Sequence, residues 1–169
     1  MKAVSLIQPW ATLVAIGAKR IETRGWSTPH RGALAIHVSK KFPKEAQDLV
    51  TREPFRTALE KIILGSPEEF SFLKRDMWQL GHVICTTKLD DCVRVDHLPT
   101  LSMEERAFGN YEAGRFGWLL SEIKLLPEPV AWQGALSLWD WMPAAGSGQA
   151  AQGDLFGGVT GTSRPGHAS

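Results

Sequence analysis

The stretch GAKRIETRGW, residues 17–26, has the residue spacing of a helix end followed by a strand, and we call it the decisive stretch. The apolar residues before it repeat at helical intervals, and Gly17 is the residue type that ends a helix. Residues 21–24 then read as a short strand. Because side chains of a strand alternate between its faces, Glu22 and Arg24 share one face. The stretch therefore predicts a short helix followed by a strand whose charged face borders either solvent or a cleft.

The rest of the chain contains many short strands and few helices. Strands are predicted over residues 3–7, 32–38, 82–95, 115–126, 130–132 and 136–141, and helices over residues 10–17, 44–64 and 102–108. Pro54 interrupts the second helix, and Ser102 and Glu105 have capping-box spacing at the start of the third. Because strands and helices do not alternate regularly, we expect an α+β fold, a small mixed β-barrel with flanking helices.

The composition is typical of a soluble globular protein, since 43% of the 169 residues are hydrophobic and 22% are charged. We expect one domain over residues 1–142 and a disordered tail over residues 143–169, in which 19 of 27 residues are Gly, Ala, Ser, Thr or Pro. No apolar run is long enough to span a membrane and no signal peptide is recognisable. We therefore expect a cytoplasmic protein with no membrane partner.

The two cysteines, Cys85 and Cys92, are too few for a disulfide framework and lack the spacing of a zinc site. We expect reduced thiols in or near a strand, and neither a metal nor a cofactor.

Charge is distributed unevenly along the chain. The formal net charge is +1, but residues 1–44 carry +7 and the remainder carries −6. This near-neutral net charge excludes two classes of protein, a highly acidic solvated chain and a uniformly basic protein that coats nucleic acid. The asymmetry provides a positive pole that suits phosphate groups.

Two separated blocks of sequence carry a family resemblance. The first contains SLIQPWA at residues 5–11, the pattern G-x-K-x-x-E-x-R within residues 17–26, and RGALAIH at residues 31–37. The second contains GRFGWLL at residues 114–120, LPEP at residues 126–129 and LWD at residues 138–140. Together they resemble the bacterial type of the ASCH domain family, named for activating signal cointegrator homology, over about residues 3–142.

The resemblance implies a PUA-like β-barrel with a cleft beside the G-x-K-x-x-E-x-R segment. This fold is associated with RNA binding, with coactivators and with RNA-modifying enzymes. Some members look like nucleic-acid binders, one is a ribonuclease, and a small bacterial branch hydrolyses the acetyl amide of N4-acetylcytidine. The resemblance therefore predicts one fold but leaves several reactions open.

The leading functional expectation is that this cleft binds RNA or a modified nucleotide. The candidate binding residues are Gln8, Lys19, Glu22, Arg24, Trp26, His37 and Lys40. Glu22 is expected to accept from a base amine, Arg24 to meet a phosphate or a carbonyl group, and Trp26 to stack on a base.

Several of these residues also have a plainer interpretation. Lys19 can be a solvated lysine that caps the end of the preceding helix. Glu22 and Arg24 can form a surface ion pair worth at most ~1 kcal/mol. His37 can be a structural histidine whose hydrogen bonds are satisfied, and Lys40 can belong to a solvated basic turn.

The alternative function is a hydrolase in the same cleft, acting on an acylated nucleoside or on single-stranded RNA. The resemblance implies a catalytic role for Lys19, and Glu22 occupies the position of the branch's nucleophilic Thr. Thr23 is one residue away and on the opposite face, so Glu22 as a general base fits better than a covalent Thr mechanism. The third member of the catalytic set can be Glu104, Glu105 or Glu112. A third possibility is an interaction module with a vestigial cleft.

The tail contains a second motif at Gln152-Gly153-Asp154-Leu155-Phe156. It resembles the Q-L-[S/D]-L-F peptide with which bacterial replication and repair proteins bind the sliding clamp, and it departs from that pattern at Gly153. Gln152, Leu155 and Phe156 are the candidate partner-binding residues. The alternative is an apolar pair without function in a linker. In the docking interpretation, an extended segment presents the two apolar side chains to a pocket on a partner.

We predict that a fluorescent peptide of residues 148–160 binds a bacterial sliding clamp with a Kd of roughly micromolar, about −8 kcal/mol. Gly153 adds backbone entropy that binding must remove, so the affinity is modest. Titration by fluorescence anisotropy measures it, with a peptide carrying Leu155→Ala and Phe156→Ala as the control. Equal binding of the two peptides, or no saturable binding, contradicts the prediction.

Overall fold

A computed structural model describes residues 1–65 and 70–142 of the chain. The tail over residues 143–169, including the clamp-like peptide with Gln152, Leu155 and Phe156, lies outside the described residues, and its interpretation stays a prediction.

Six strands and five helices form the described part of the fold. They are β1 Lys2–Leu6, α1 Trp10–Ala15, β2 Ile21–Arg24, β3 Gly32–Val38, α2 Lys44–Leu49, α3 Phe55–Leu64, α4 Ser71–Arg75, β4 His82–Arg94, α5 Met103–Ala107, β5 Phe116–Ala131 and β6 Leu138–Asp140. A 3₁₀ turn, Val95–His97, follows β4. Among residues 1–65 and 70–142, no helix has both the length and the hydropathy needed to cross a bilayer.

The strands form one mixed sheet in the order β2-β5-β4-β3-β1-β6. The β1·β3 pair is parallel, and the other pairs are antiparallel. The long strands β4 and β5 pair through several register shifts, and such bulges bend a sheet. The result is a half-barrel with short helices, which confirms the predicted α+β, PUA-like fold class.

The concave side of the sheet is filled by apolar side chains of the strands and of α1 and α3. Leu13, Leu34, Ile62 and Trp118 are completely buried in this cluster. Burying a side chain of this size contributes about 1.5–3 kcal/mol. The core therefore fixes α1 and β2, the two elements that carry the decisive stretch, against the rest of the sheet.

The junction between α1 and β2 follows the predicted pattern. Gly17 has a φ of +73°, which glycine adopts without strain. Its N–H donates to the carbonyl of Val14 at 2.9 Å, and the N–H groups of Ala18 and Lys19 donate to Leu13 at 2.9 and 3.0 Å. This cap turns the chain sharply, and Lys19 enters the interior at the start of β2.

One sequence expectation about helices is confirmed, and one about strands needs correction. Pro54 separates α2 from α3, as predicted. The predicted strand at residues 130–132 is instead the end of β5. Between the pairs Cys85↔Leu125 and Val83↔Val130, residues 126–129 bulge from the ladder. Proline has no N–H to donate, so Pro127 and Pro129 occupy this bulge while the strand continues beyond it.

Candidate functional site

Lys19 is the buried centre of the decisive stretch, with a side chain only 1% exposed. Its ammonium donates to the carbonyl oxygen of Ile21. The Nζ atom also lies 3.8 Å from Oε2 of Glu22 and 3.9 Å from Oε1 of Glu105. Burial lowers the pKa of Lys19, and the two carboxylates oppose that effect. A buried cation needs such partners, so Lys19 and the two glutamates act as one unit.

Glu105 joins this unit from α5, which is far away in sequence. Its carboxylate accepts from the backbone N–H groups of Arg20 at 2.8 Å and Ile21 at 3.2 Å, and from the Tyr111 hydroxyl at 3.0 Å. Burial, reinforced by the Glu105 charge, raises the pKa of Tyr111. The Ser102 side chain caps α5 by accepting from the N–H of Glu105 at 3.0 Å, as expected. The Glu105 carboxylate, however, reaches across to the start of β2.

Among the three glutamates considered from the sequence, the structure thus places Glu105 next to Lys19. Glu112 instead pairs with the side chain of Asn110 at 3.2 Å. Spacing alone did not distinguish them, because the relevant contact spans more than eighty residues.

Glu22 and Arg24 lie on one face of β2, and their contact is largely shielded from solvent. The Arg24 Nε atom is 3.1 Å from Oε1 of Glu22, and the two side chains are 24% and 12% exposed. Nη2 of Arg24 donates to the carbonyl oxygen of Ser5 at 3.0 Å. Since Ser5 belongs to β1 and Arg24 to β2, the guanidinium links two strands that are not neighbours in the sheet.

Glu22 faces a cavity of about 310 Å³, which we call the glutamate pocket. Its lining includes Trp10, Glu22, Thr23, Phe108, Gly109 and Asn110. The pocket therefore combines aromatic walls with a carboxylate, and a carboxylate is purely a hydrogen-bond acceptor.

Arg24 faces a larger cavity of about 1120 Å³, which we call the basic cleft. Its chemically distinctive residues are Arg24, His37, Lys40, Lys41, His82 and Trp132. Lys40 and Lys41 are exposed, and none of the described residues that line the cleft is acidic. A concave surface with one sign of charge concentrates anions.

His37 forms part of the floor of the basic cleft, and its ring is firmly held. Nε2 lies 3.1 Å from the carbonyl oxygen of Trp132, and Nδ1 lies 3.0 Å from the Ser5 hydroxyl. Trp139 packs edge-on against the ring, with centroids 5.6 Å apart. Gly134 approaches so closely that an added Cβ would be 2.3 Å from Cε1 of the ring. Both ring nitrogens are occupied, which favours the structural interpretation of His37.

Gln8 and Trp26 lie apart from the two cavities. Gln8 is fully buried, and its side-chain amide bonds to Thr12 and to the carbonyl of Trp78 at distances from 2.7 to 3.1 Å. Trp26 packs edge-on against Trp118, with ring centroids 4.8 Å apart. Neither is among the described residues that line the glutamate pocket or the basic cleft. Their proposed ligand contacts remain predictions.

The structure thus divides the predicted site between two cavities joined by the Glu22–Arg24 contact. Glu22 lines the glutamate pocket and is paired with the buried Lys19, whereas Arg24, His37 and Lys40 line the basic cleft. Sequence reasoning did not identify Trp10, Phe108, Asn110 or Trp132 as candidate site residues. The helical spacing of Trp10 matched a core face, so no local signal marked it as a pocket wall.

Cys85 and Cys92 are free thiols within β4, as predicted. Burial raises the pKa of Cys85. Within the described ranges, no three His, Cys, Asp or Glu side chains converge as a metal-binding group.

Comparison with known proteins places the chain in a family. The model of the ASCH domain matches residues 4–127, so the chain belongs to the ASCH domain family, which is associated with RNA binding. Activating signal cointegrator 1 of Homo sapiens is 48% identical over 107 residues, and its Mus musculus counterpart is 52% identical over the same length. Each match covers 60% of this chain and 16% of the relative. The similarity therefore concerns a small part of those proteins.

We predict that His37 makes the stability of the fold depend on pH. Burial, with smaller contributions from His82 and Lys40, lowers the pKa of His37 below the usual 6.5. The unfolded ring takes up a proton near pH 6.5 that the folded ring resists, so the free energy of unfolding falls as pH drops below that value. Urea unfolding at about pH 7.5 and pH 5 measures this loss, which we expect to be smaller in His37→Gln.

The control variant is His97→Gln, which replaces an exposed histidine. It should keep the wild-type pH dependence. An unchanged dependence in a folded His37→Gln variant contradicts the assignment to His37.

Proposed function

We propose that this protein binds single-stranded RNA, or a modified nucleotide within it, with a base in the glutamate pocket and phosphates along the basic cleft. One observation carries the proposal. A cleft with three cationic side chains and no acidic residue among its described lining adjoins a pocket with a buried acceptor. The Glu22–Arg24 contact of 3.1 Å joins the two.

The cleft suits the phosphate backbone. Lys40 and Lys41 are exposed at its surface and are free to follow a flexible chain, whereas Arg24 is fixed by Glu22 and Ser5. Arginine and lysine contacts to phosphates release bound counterions, so the resulting affinity depends on salt.

The apolar side chains along the cleft suit unpaired bases. Trp132 is 37% exposed and Leu136 is 93% exposed, and both line the cleft. An exposed indole offers a base a stacking surface worth about 1–3 kcal/mol. In duplex RNA the bases are paired and stacked, so their edges cannot enter a pocket. The glutamate pocket therefore favours single-stranded RNA.

We predict that Lys40→Glu combined with Lys41→Glu weakens binding to single-stranded RNA at least tenfold. The variant removes two phosphate contacts, so the slope of log affinity against log salt should become shallower by about 1.4. Fluorescence anisotropy with an end-labelled oligonucleotide at several salt concentrations measures both quantities.

The matched control is Arg52→Glu combined with Lys61→Glu, which changes net charge equally at two exposed positions that are not among the described lining residues. If both double variants lose affinity equally, general charge explains the binding. If neither loses affinity, the basic cleft is not the binding surface.

The second candidate is the hydrolase, and the Lys19–Glu22–Glu105 cluster is the observation that favours it. Lys19 is 1% exposed, so it acts by holding Glu22, which faces the pocket. The Thr23 hydroxyl accepts from the N–H of Asn110 at 3.1 Å. In this candidate Glu22 takes a proton from water, and the hydroxide adds to the acetyl carbonyl of N4-acetylcytidine. The bond between the carbonyl carbon and N4 then breaks, Glu22 returns the proton to N4, and the products are cytidine and acetate.

For this candidate, we predict that Glu22→Gln lowers the rate of cytidine release by roughly 10² to 10⁴, the usual contribution of a positioned base. Mass spectrometry after incubation with N4-acetylcytidine, and separately with single-stranded RNA, gives the rates. Glu60→Gln, the same change at a helix-surface carboxylate that pairs with Arg56, is the control. Absence of product in the wild type, or a wild-type rate in Glu22→Gln, eliminates the candidate.

A further inference from the structure

The carboxylate of Glu22 presents two acceptor atoms with a fixed orientation. Oε1 is 3.1 Å from the Arg24 guanidinium and Oε2 is 3.8 Å from the Lys19 ammonium. Each carboxylate oxygen has two lone-pair directions, so one cation on each leaves acceptor capacity on both. Because the side chain is 12% exposed and lines the glutamate pocket, that capacity is available to a ligand in the pocket.

The aromatic walls of the pocket suit a flat ring system. Trp10 packs edge-on against Phe55 with centroids 6.2 Å apart, and Phe55 packs likewise against Phe108 at 5.0 Å. The two aromatic residues that line the pocket are thus fixed by a shared neighbour. Aromatic walls favour a nucleobase, and the volume of about 310 Å³ is within the usual range of small-ligand pockets.

The two carboxylate oxygens of Glu22 can distinguish the four bases by the donors and acceptors on their Watson–Crick edges. Guanine carries two adjacent donors on its Watson–Crick edge, the N1–H and the N2 amino group. Adenine and cytosine place an amino donor next to a ring-nitrogen acceptor, and uracil places one N–H between two carbonyl acceptors. When one of these bases places an acceptor atom against an oxygen of the buried carboxylate, neither atom receives a hydrogen bond from the other. Two unsatisfied polar groups away from water are costly.

We propose that the glutamate pocket is a guanine-selective subsite, in which both oxygens of Glu22 accept from N1–H and N2–H of one unpaired guanine. The inference rests on the proposed binding of RNA, because the neighbouring phosphates lie in the basic cleft. Glu22 is the specificity-determining residue, and Lys19 is a positioning residue that holds it.

The experiment measures the affinity of the full chain for five single-stranded nonanucleotides. Each has uridine at every position except the centre, which is guanosine, inosine, adenosine, cytidine or uridine. We expect the guanosine oligonucleotide to bind roughly tenfold to a hundredfold more tightly than those with adenosine, cytidine or uridine, the usual discrimination of a bidentate contact. Inosine lacks the N2 amino group and should bind with intermediate affinity.

A variant then tests the residue. Glu22→Gln replaces one acceptor by a donor, so the guanosine preference should disappear while the adenosine oligonucleotide binds at least as well as before. Glu60→Gln is the matched control and should keep the preference. Circular dichroism and urea unfolding establish whether each variant is folded. If Glu22→Gln is unfolded, N1-methylguanosine at the central position of the oligonucleotide removes the same contact in the wild-type protein.

The outcomes separate the two proposals. Preference for guanosine that is lost in Glu22→Gln, or on N1-methylation, supports the subsite. Three outcomes overturn the guanine subsite while RNA binding stands. They are equal affinity for all five oligonucleotides, a preference for another base, and a guanosine preference that survives in a folded Glu22→Gln variant. Failure of every oligonucleotide to bind overturns both.

Discussion

The burial of one ammonium group, that of Lys19, is the constraint on which the rest of the site depends. An unpaired charge in a protein interior costs several kcal/mol, so the chain must bring carboxylates to it. Glu22 comes from the adjacent strand and Glu105 from a distant helix, each within 4 Å of the ammonium. Glu105 also accepts from two backbone N–H groups at the start of β2. A single charge thus ties the end of α1, the edge strand β2 and α5 together.

This arrangement also sets the chemistry of the two cavities. Glu22 is balanced by Lys19 on one oxygen and by Arg24 on the other, and Arg24 extends to the Ser5 carbonyl on β1. The carboxylate therefore faces the glutamate pocket while the guanidinium faces the basic cleft. An acceptor site and a cationic site adjoin because they share one ion pair. Lys40 and Lys41 bring part of the positive charge of residues 1–44 to the surface of the basic cleft.

Local sequence rules were sufficient for the elements around the decisive stretch. The Gly17 helix end, the shared face of Glu22 and Arg24 and the cap at Ser102 all follow from interactions within a few residues. Long-range features were not accessible in this way. The choice of Glu105 over its neighbours depends on a contact with a residue more than eighty positions away. The division of the predicted cleft into two cavities likewise depends on how β1, β2 and α5 pack together.

The proposed binding of RNA and the proposed hydrolysis place competing demands on the carboxylate of Glu22. Lys19 is too deeply buried to meet a ligand, so any general base in the pocket must be Glu22. In the proposed guanine complex, each oxygen of Glu22 faces one cation and accepts from one donor of the base. Neither oxygen is then available to accept from water, so the complex binds guanine without hydrolysis. N4-acetylcytidine presents one N–H at its modified nitrogen and so engages one oxygen, while the other can still accept from water. The two proposals together predict that the number of donors on a bound base decides whether Glu22 acts as a recognition group or as a general base.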